Sequence, residues 1–123
     1  MKTTRLFVLI EAVAFLAAAL THFGILAHGY RHKPAGTAES VIGCVLFAGW
    51  LATFLAARWT NRIGLIVQVF ALVGTLVGLY TIAIGIGPRT TPDLVFHAGI
   101  VIVLVWGLAA SVRAGRAQIV SGN

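Results

Sequence analysis

The stretch Leu6–Ala27, LFVLIEAVAFLAAALTHFGILA, is an apolar run interrupted by Glu11 and His22. A helix rises 1.5 Å per residue and needs about 20 apolar residues to cross the ~30 Å hydrocarbon core of a bilayer, so this run is long enough to span. An ionisable group inside such a span is costly in lipid and therefore faces protein or a polar cavity. Glu11 and His22 are eleven residues apart, close to three full turns, so they share one face. Ala14, Phe15, Ala18 and Ile25 are expected on the same inward stripe.

Composition carries the membrane reading to the whole chain. Of 123 residues, 59% are hydrophobic and only 10% are charged, with a mean hydropathy of +0.99. Soluble domains carry about a quarter charged residues, and this chain has too few to cover a surface in water. The net charge of +6 does not mark a nucleic-acid binder, because the nine Lys and Arg residues sit between apolar runs and form no basic face. The single cysteine, Cys44, excludes an intrachain disulfide and is expected to be a small packing residue. The basic start and Ala17-Ala18-Ala19 imitate a cleaved signal, but Glu11 and the continuation to Ala27 favour a retained span.

Three further runs follow, giving helices expected over about 5–27, 39–57, 63–86 and 92–112, then a polar tail over 113–123. The expected fold is a single all-α domain, a four-helix transmembrane bundle, because backbone groups inside lipid must be satisfied within their own segment. The connections read HGYRHKPAGT (28–37), RWTNR (58–62) and GPRTTP (87–92). Pro34 and Gly36 are expected to break structure and Thr37 to cap helix two. Thr91 is expected to cap helix four, with Pro92 in the first helical position. Six basic residues (Lys2, Arg5, Arg58, Arg62, Arg113, Arg116) fall on one side and three (Arg31, Lys33, Arg89) on the other, which predicts cytoplasmic N- and C-termini. Trp59 and Tyr30 fall where interfacial aromatic belts are expected.

Counting depth from the helix ends places two polar sets. Glu11, Gln68 and Thr53 fall at one level in the inner leaflet. Glu11 is either a proton- or cation-binding carboxylate or interhelical glue hydrogen-bonded to Gln68. His22, Glu39, Thr81, Asp93 and His97 fall near the outer face. Asp93 and His97 stand at i, i+4 on one helix face. The ligand-binding candidates are thus His22, Glu39, Asp93, His97, Glu11 and Gln68. His22, Glu39 and His97 also have the donor chemistry of a divalent metal site for Zn, Fe or Mn. Acids that open a helix also interact favourably with its N-terminal dipole, which is the plain account of Glu39 and Asp93. His28 and His32 read as loop histidines. Gly74-x-x-x-Gly78 permits close helix approach, first within the chain and otherwise in a homodimer or a larger membrane complex. Trp106 is deep enough to pack in the core or line a pocket.

With four spans and an early helix-one Glu11, the chain superficially resembles the small multidrug resistance transporters. It differs in its long outer loop, in Glu39 and the His97 level, and in its charge bias. A closer resemblance is to uncharacterised bacterial four-helix membrane proteins of DoxX-like layout. It is carried by Ala38-Glu39, by Gln68 with Gly74 and Gly78, and by Gly87-Pro88, Pro92-Asp93 and His97. That resemblance implies a bundle in the bacterial inner membrane and points to Glu39, Asp93 and His97.

Three functions follow as expectations. The first is a non-enzymatic membrane protein that binds a ligand or partner at the outer set. The others are a proton-coupled transporter using Glu11, and a metal- or cofactor-dependent membrane enzyme or redox component.

Overall fold

In the computed structural model, which describes residues 1–121, the chain is all-helical among those residues: α1 (Lys2–His22), α2 (Lys33–Leu55), a short 3-10 turn (Ala57–Trp59), α3 (Thr60–Ala83) and α4 (Thr91–Ser121). Four helices are long and apolar enough to cross a membrane. Each helix packs on its chain neighbours, and α1 also packs on α4. The ring α1–α2–α3–α4 is thereby closed, and α1 and α3 make its short diagonal.

Two glycines set helix ends that hydropathy alone misplaces. Gly24 (φ +77°) and Gly85 (φ +87°) adopt the left-handed conformation that glycine takes without steric cost. At each, the glycine N–H donates to the carbonyl of the penultimate helical residue, Thr21 O and Ile82 O. The next N–H reaches back to Leu20 O or Thr81 O. This is the Schellman stop, and it ends α1 at His22 and α3 at Ala83, short of the expected 27 and 86. Arg89, expected to act only as a topological charge, donates to Ile82 O (2.8 Å) and Ala83 O (2.7 Å) and so satisfies the last carbonyls of α3.

Helix α2 starts at Lys33, six residues before the expected 39. Pro34 opens the helix instead of breaking it, because its missing N–H falls among the unsatisfied donors of a first turn. His32, not Thr37, is the N-cap, and its ring Nδ1 accepts from Ala35 N at 3.2 Å. Thr37 lies inside the helix and donates to Lys33 O. At α4 the cap is Thr90, not Thr91: Thr90 O accepts from Leu94 N, and the side chains of Thr90 and Asp93 bond reciprocally in a capping box. We expect Thr90→Ala to cost about 0.5–2 kcal/mol in chemical unfolding of the micelle-solubilised protein. Helix α4 continues to Ser121, so the expected tail over 113–121 is helical. Residues 122 and 123 of that tail lie outside the described residues.

The interior is unusually polar. Val8, Ala12, Phe15, Leu46, Ala71, Ile100 and Leu104 form an apolar centre, yet about as many polar side chains are buried as apolar ones. Large apolar side chains cover the outside, Leu6, Val13, Ile66, Val77 and Ile102 among them, as for a bundle solvated by lipid. Trp106 belongs to that outside: it is 66% exposed and rests on Phe7. Cys44 is likewise exposed, not packed in the interior. Ile25 is exposed beyond the end of α1, and the buried stripe of that helix runs instead through Thr4, Val8, Glu11, Phe15, Ala19 and His22.

Candidate functional site

The buried polar residues fall in three tiers. At the end of the bundle that carries the termini, Thr4 donates to Asn61 Oδ1 (2.9 Å). Arg5 donates to Thr53 Oγ1 (3.1 Å) and Thr53 O (2.6 Å), with Phe54 beneath its guanidinium. Thr53 therefore belongs with Arg5 and does not join Glu11. In the second tier Gln68 Nε2 donates to Glu11 Oε1 (2.9 Å), and Ser111 Oγ donates to Gln68 Oε1 (3.0 Å). Gln68 thus bridges α1 and α4, and both its side-chain ends are used. Ser111 was legible as the far member of Gly107-x-x-x-Ser111, a small-xxx-small face on α4. We expect Gln68→Leu, which orphans Glu11 and Ser111 together, to destabilise by about 1–3 kcal/mol in the same assay. Glu11→Gln keeps an acceptor in place and is expected to cost under about 1 kcal/mol.

The third tier lies at the opposite end. His22 Nδ1 lies 2.7 Å from Glu39 Oε2, and His22 Nε2 lies 2.9 Å from Asp93 Oδ1. One imidazole from α1 is clamped between carboxylates from α2 and α4, all three residues nearly shielded from solvent. Each contact needs one hydrogen between nitrogen and oxygen, whichever atom owns it. An imidazolium between two carboxylates satisfies that count. So does a neutral imidazole between one carboxylate and one carboxylic acid. Both arrangements hold two protons and carry one net negative charge.

The start of α2 changes the reading of Glu39. Numbered from Lys33, Glu39 is the seventh helical residue, nearly two turns in, and beyond the first turn where the dipole acts. Helix-end electrostatics therefore do not account for it. Asp93 does sit in the first turn of α4 and joins a second role to the first: its other oxygen accepts from Thr90 N (3.1 Å) and from the Thr90 hydroxyl.

His97 joins the tier without touching either carboxylate. Its Nδ1 lies 2.8 Å from Asp93 O. A carbonyl only accepts, so Nδ1 carries the hydrogen and neutral His97 keeps a lone pair on Nε2. That atom faces Gly78, where an added Cβ would come within 3.3 Å of it. Gly74 similarly faces Ile42 of α2, so both glycines of Gly74-x-x-x-Gly78 serve contacts within the chain.

The trio His22, Glu39 and His97 is not arranged as a metal centre. His22 uses both ring nitrogens on carboxylates, and among the described residues no group of three or more His, Cys, Asp or Glu side chains is placed to hold a metal ion. His28 is exposed in the α1–α2 loop, and His32 caps α2.

A cavity of about 190 Å³ lies beside this tier, walled by α2, α3 and the α3–α4 loop. Glu39 and His97 line it together with Phe15, Ile42, Thr75 and Ile82. Glu39 Oε1, the carboxylate oxygen not spent on His22, is buried and has no hydrogen-bond partner. On the far side of the clamp, His22 and Asp93 line a larger groove between α1 and α4, floored by Ala14, Ala18 and Phe96. Among the described residues, no hydrogen-bonded chain joins this tier to Glu11. About 16 Å of α1 separates Glu11 from His22, and the apolar centre around Phe15, Leu46, Ala71 and Ile100 lies between.

Comparison with known protein families, with curated proteins and with solved structures finds no match.

Proposed function

We propose that this chain is a small integral membrane protein that binds a small molecule in the cavity lined by Glu39 and His97. One observation carries the reading: Glu39, whose second carboxylate oxygen is buried and has no partner, lines that cavity. An unsatisfied buried acceptor costs about 1–3 kcal/mol, and a ligand that donates to it recovers that cost. The cavity is of the right scale, since an apolar hole of about 150 Å³ in another protein holds benzene. Small-molecule sites combine such apolar walls with a few convergent polar atoms. Glu11 also has an unpartnered oxygen, but it lines neither the cavity nor the groove, so the outer tier is favoured over a transport path through Glu11.

The test is a screen of ring-sized aromatic compounds, neutral, acidic and basic, by ligand-observed NMR on the micelle-solubilised protein. Saturable binding is expected in wild type and in Glu11→Gln. It is expected to be lost in Ala38→Trp, which fills the mouth of the cavity. Binding that survives Ala38→Trp unchanged overturns this site.

We further infer that the end carrying the termini is cytoplasmic, from the six-to-three distribution of basic residues. Protease-cleavable tags at either terminus are then protected in sealed, right-side-out cells. Cleavage from outside overturns the orientation.

A further inference from the structure

The polar atoms that line the cavity are acceptors. Glu39 Oε1 is a free carboxylate oxygen. His97 spends its ring hydrogen on Asp93 O, which leaves only the Nε2 lone pair. The hydroxyls of Thr75 and Thr81 donate to Ala71 O (2.8 Å) and Gly78 O (2.7 Å), so each has only lone pairs left to offer. The exception stands at the rim: half-buried His32 accepts at Nδ1 from Ala35 N, which places its hydrogen on Nε2. A ligand head must therefore bring donors and need not accept. The adjoining clamp of His22, Glu39 and Asp93 adds one net negative charge in an apolar setting, and its one unpartnered oxygen belongs to a residue that lines the cavity.

From this lining, accepting everywhere but at the His32 rim, beside an anionic clamp we infer that the cavity takes a primary ammonium with a compact apolar body. An ammonium has three donors and no acceptor, which matches the lining. Its charge neutralises the clamp, and its hydrogen bonds to Glu39 Oε1 and His97 Nε2 are of the charge-assisted kind, about twice as strong as neutral ones. The apolar body lies against Phe15, Ile42 and Ile82. A neutral alcohol supplies one donor and no charge, and a carboxylate adds a second negative charge. The ligand class rests on the proposed cavity site, and the experiment separates the two.

Benzylammonium, benzyl alcohol and benzoate share one ring and differ in the head. Their binding to the full-length protein in zwitterionic micelles is measured by calorimetry at neutral pH. The expected order is ammonium first, by about tenfold or more over the alcohol, with no binding of benzoate. Glu39→Gln is expected to abolish the preference. Because that variant also disturbs the His22 clamp, wild-type protein carrying ¹⁵N-labelled histidine gives an independent reading. Benzylammonium is expected to shift the His97 Nε2 resonance and leave His97 Nδ1 in place.

Benzyl alcohol binding as tightly as benzylammonium overturns the ammonium class while the cavity site stands. Saturable ammonium binding with no change at His97 Nε2 overturns the placement of the head. The absence of saturable binding by all three compounds overturns both the class and the cavity reading.

Discussion

Replacing His22 with alanine is expected to destabilise the protein by about 3–5 kcal/mol, the largest effect of any single substitution in the bundle. His22 is the shared partner of Glu39 and Asp93, and its removal leaves two buried carboxylates facing the same hole. Breaking a buried ion pair from one side costs this much because the remaining charge has lost its solvation and its partner. The origin of the cost is separable. In His22→Leu/Glu39→Leu/Asp93→Asn the clamp is replaced by apolar side chains and an amide that still serves the Thr90 cap. Most of the lost stability is expected to return, since an apolar replacement of a whole buried ion cluster is often neutral or better. Reversible unfolding in mixed micelles reads both variants. A His22→Ala penalty under about 1 kcal/mol shows the clamp to be hydrated and energetically idle.

Gly107→Val is expected to cost about 3 kcal/mol or more and to break the second tier. A Cβ at Gly107 collides with both Gln68 Nε2 and Glu11 Oε1, the two atoms of the α1–α3 hydrogen bond. The α4 backbone therefore passes directly over that bond, and only a hydrogen fits between. A larger residue pushes α4 outward or forces Gln68 away, losing the bond to Glu11 and the bond from Ser111 together. Overpacking of a close core costs about 1–3 kcal/mol, and each orphaned polar group adds to it. Gly99 is the control on the same helix, since a Cβ there meets nothing. Gly99→Ala is expected to be neutral or mildly stabilising through helix propensity. Equal effects at 99 and 107 contradict the close passage of α4.

Chain composition alone shows a helical membrane-type bundle, and depth counting pairs Glu11 with Gln68 and groups His22 with Glu39 and Asp93. Depth works because a helix rises uniformly, so residues equally far from one end of the bundle share a level. Angular position is harder. Lipid and interior both accept apolar side chains, so a membrane helix lacks the polar stripe that marks a water-facing side. That is why Trp106, placed inward by depth, and Cys44, expected to be a packing residue, face outward, and why Thr53 meets Arg5 instead of Glu11. Helix ends were missed for a local reason. Hydropathy carries straight through Gly24 and Gly85, whereas the left-handed backbone at those two residues stops the helix. Pro34 had the opposite effect, since the same ring that breaks a helix interior is tolerated in its first turn.

The apolar centre between Glu11 and His22 has an electrical consequence. In a membrane under voltage, most of the potential falls across the part of the protein that water and mobile charge do not enter. Here that part is the stretch around Leu46, Ala71 and Ile100. A unit charge crossing the full potential gains about 2.3 kcal/mol per 100 mV, but a cation that stops at Glu39 crosses only a small fraction of it. For a cation that enters the proposed site from the Glu39 end, occupancy is therefore expected to depend little on membrane voltage.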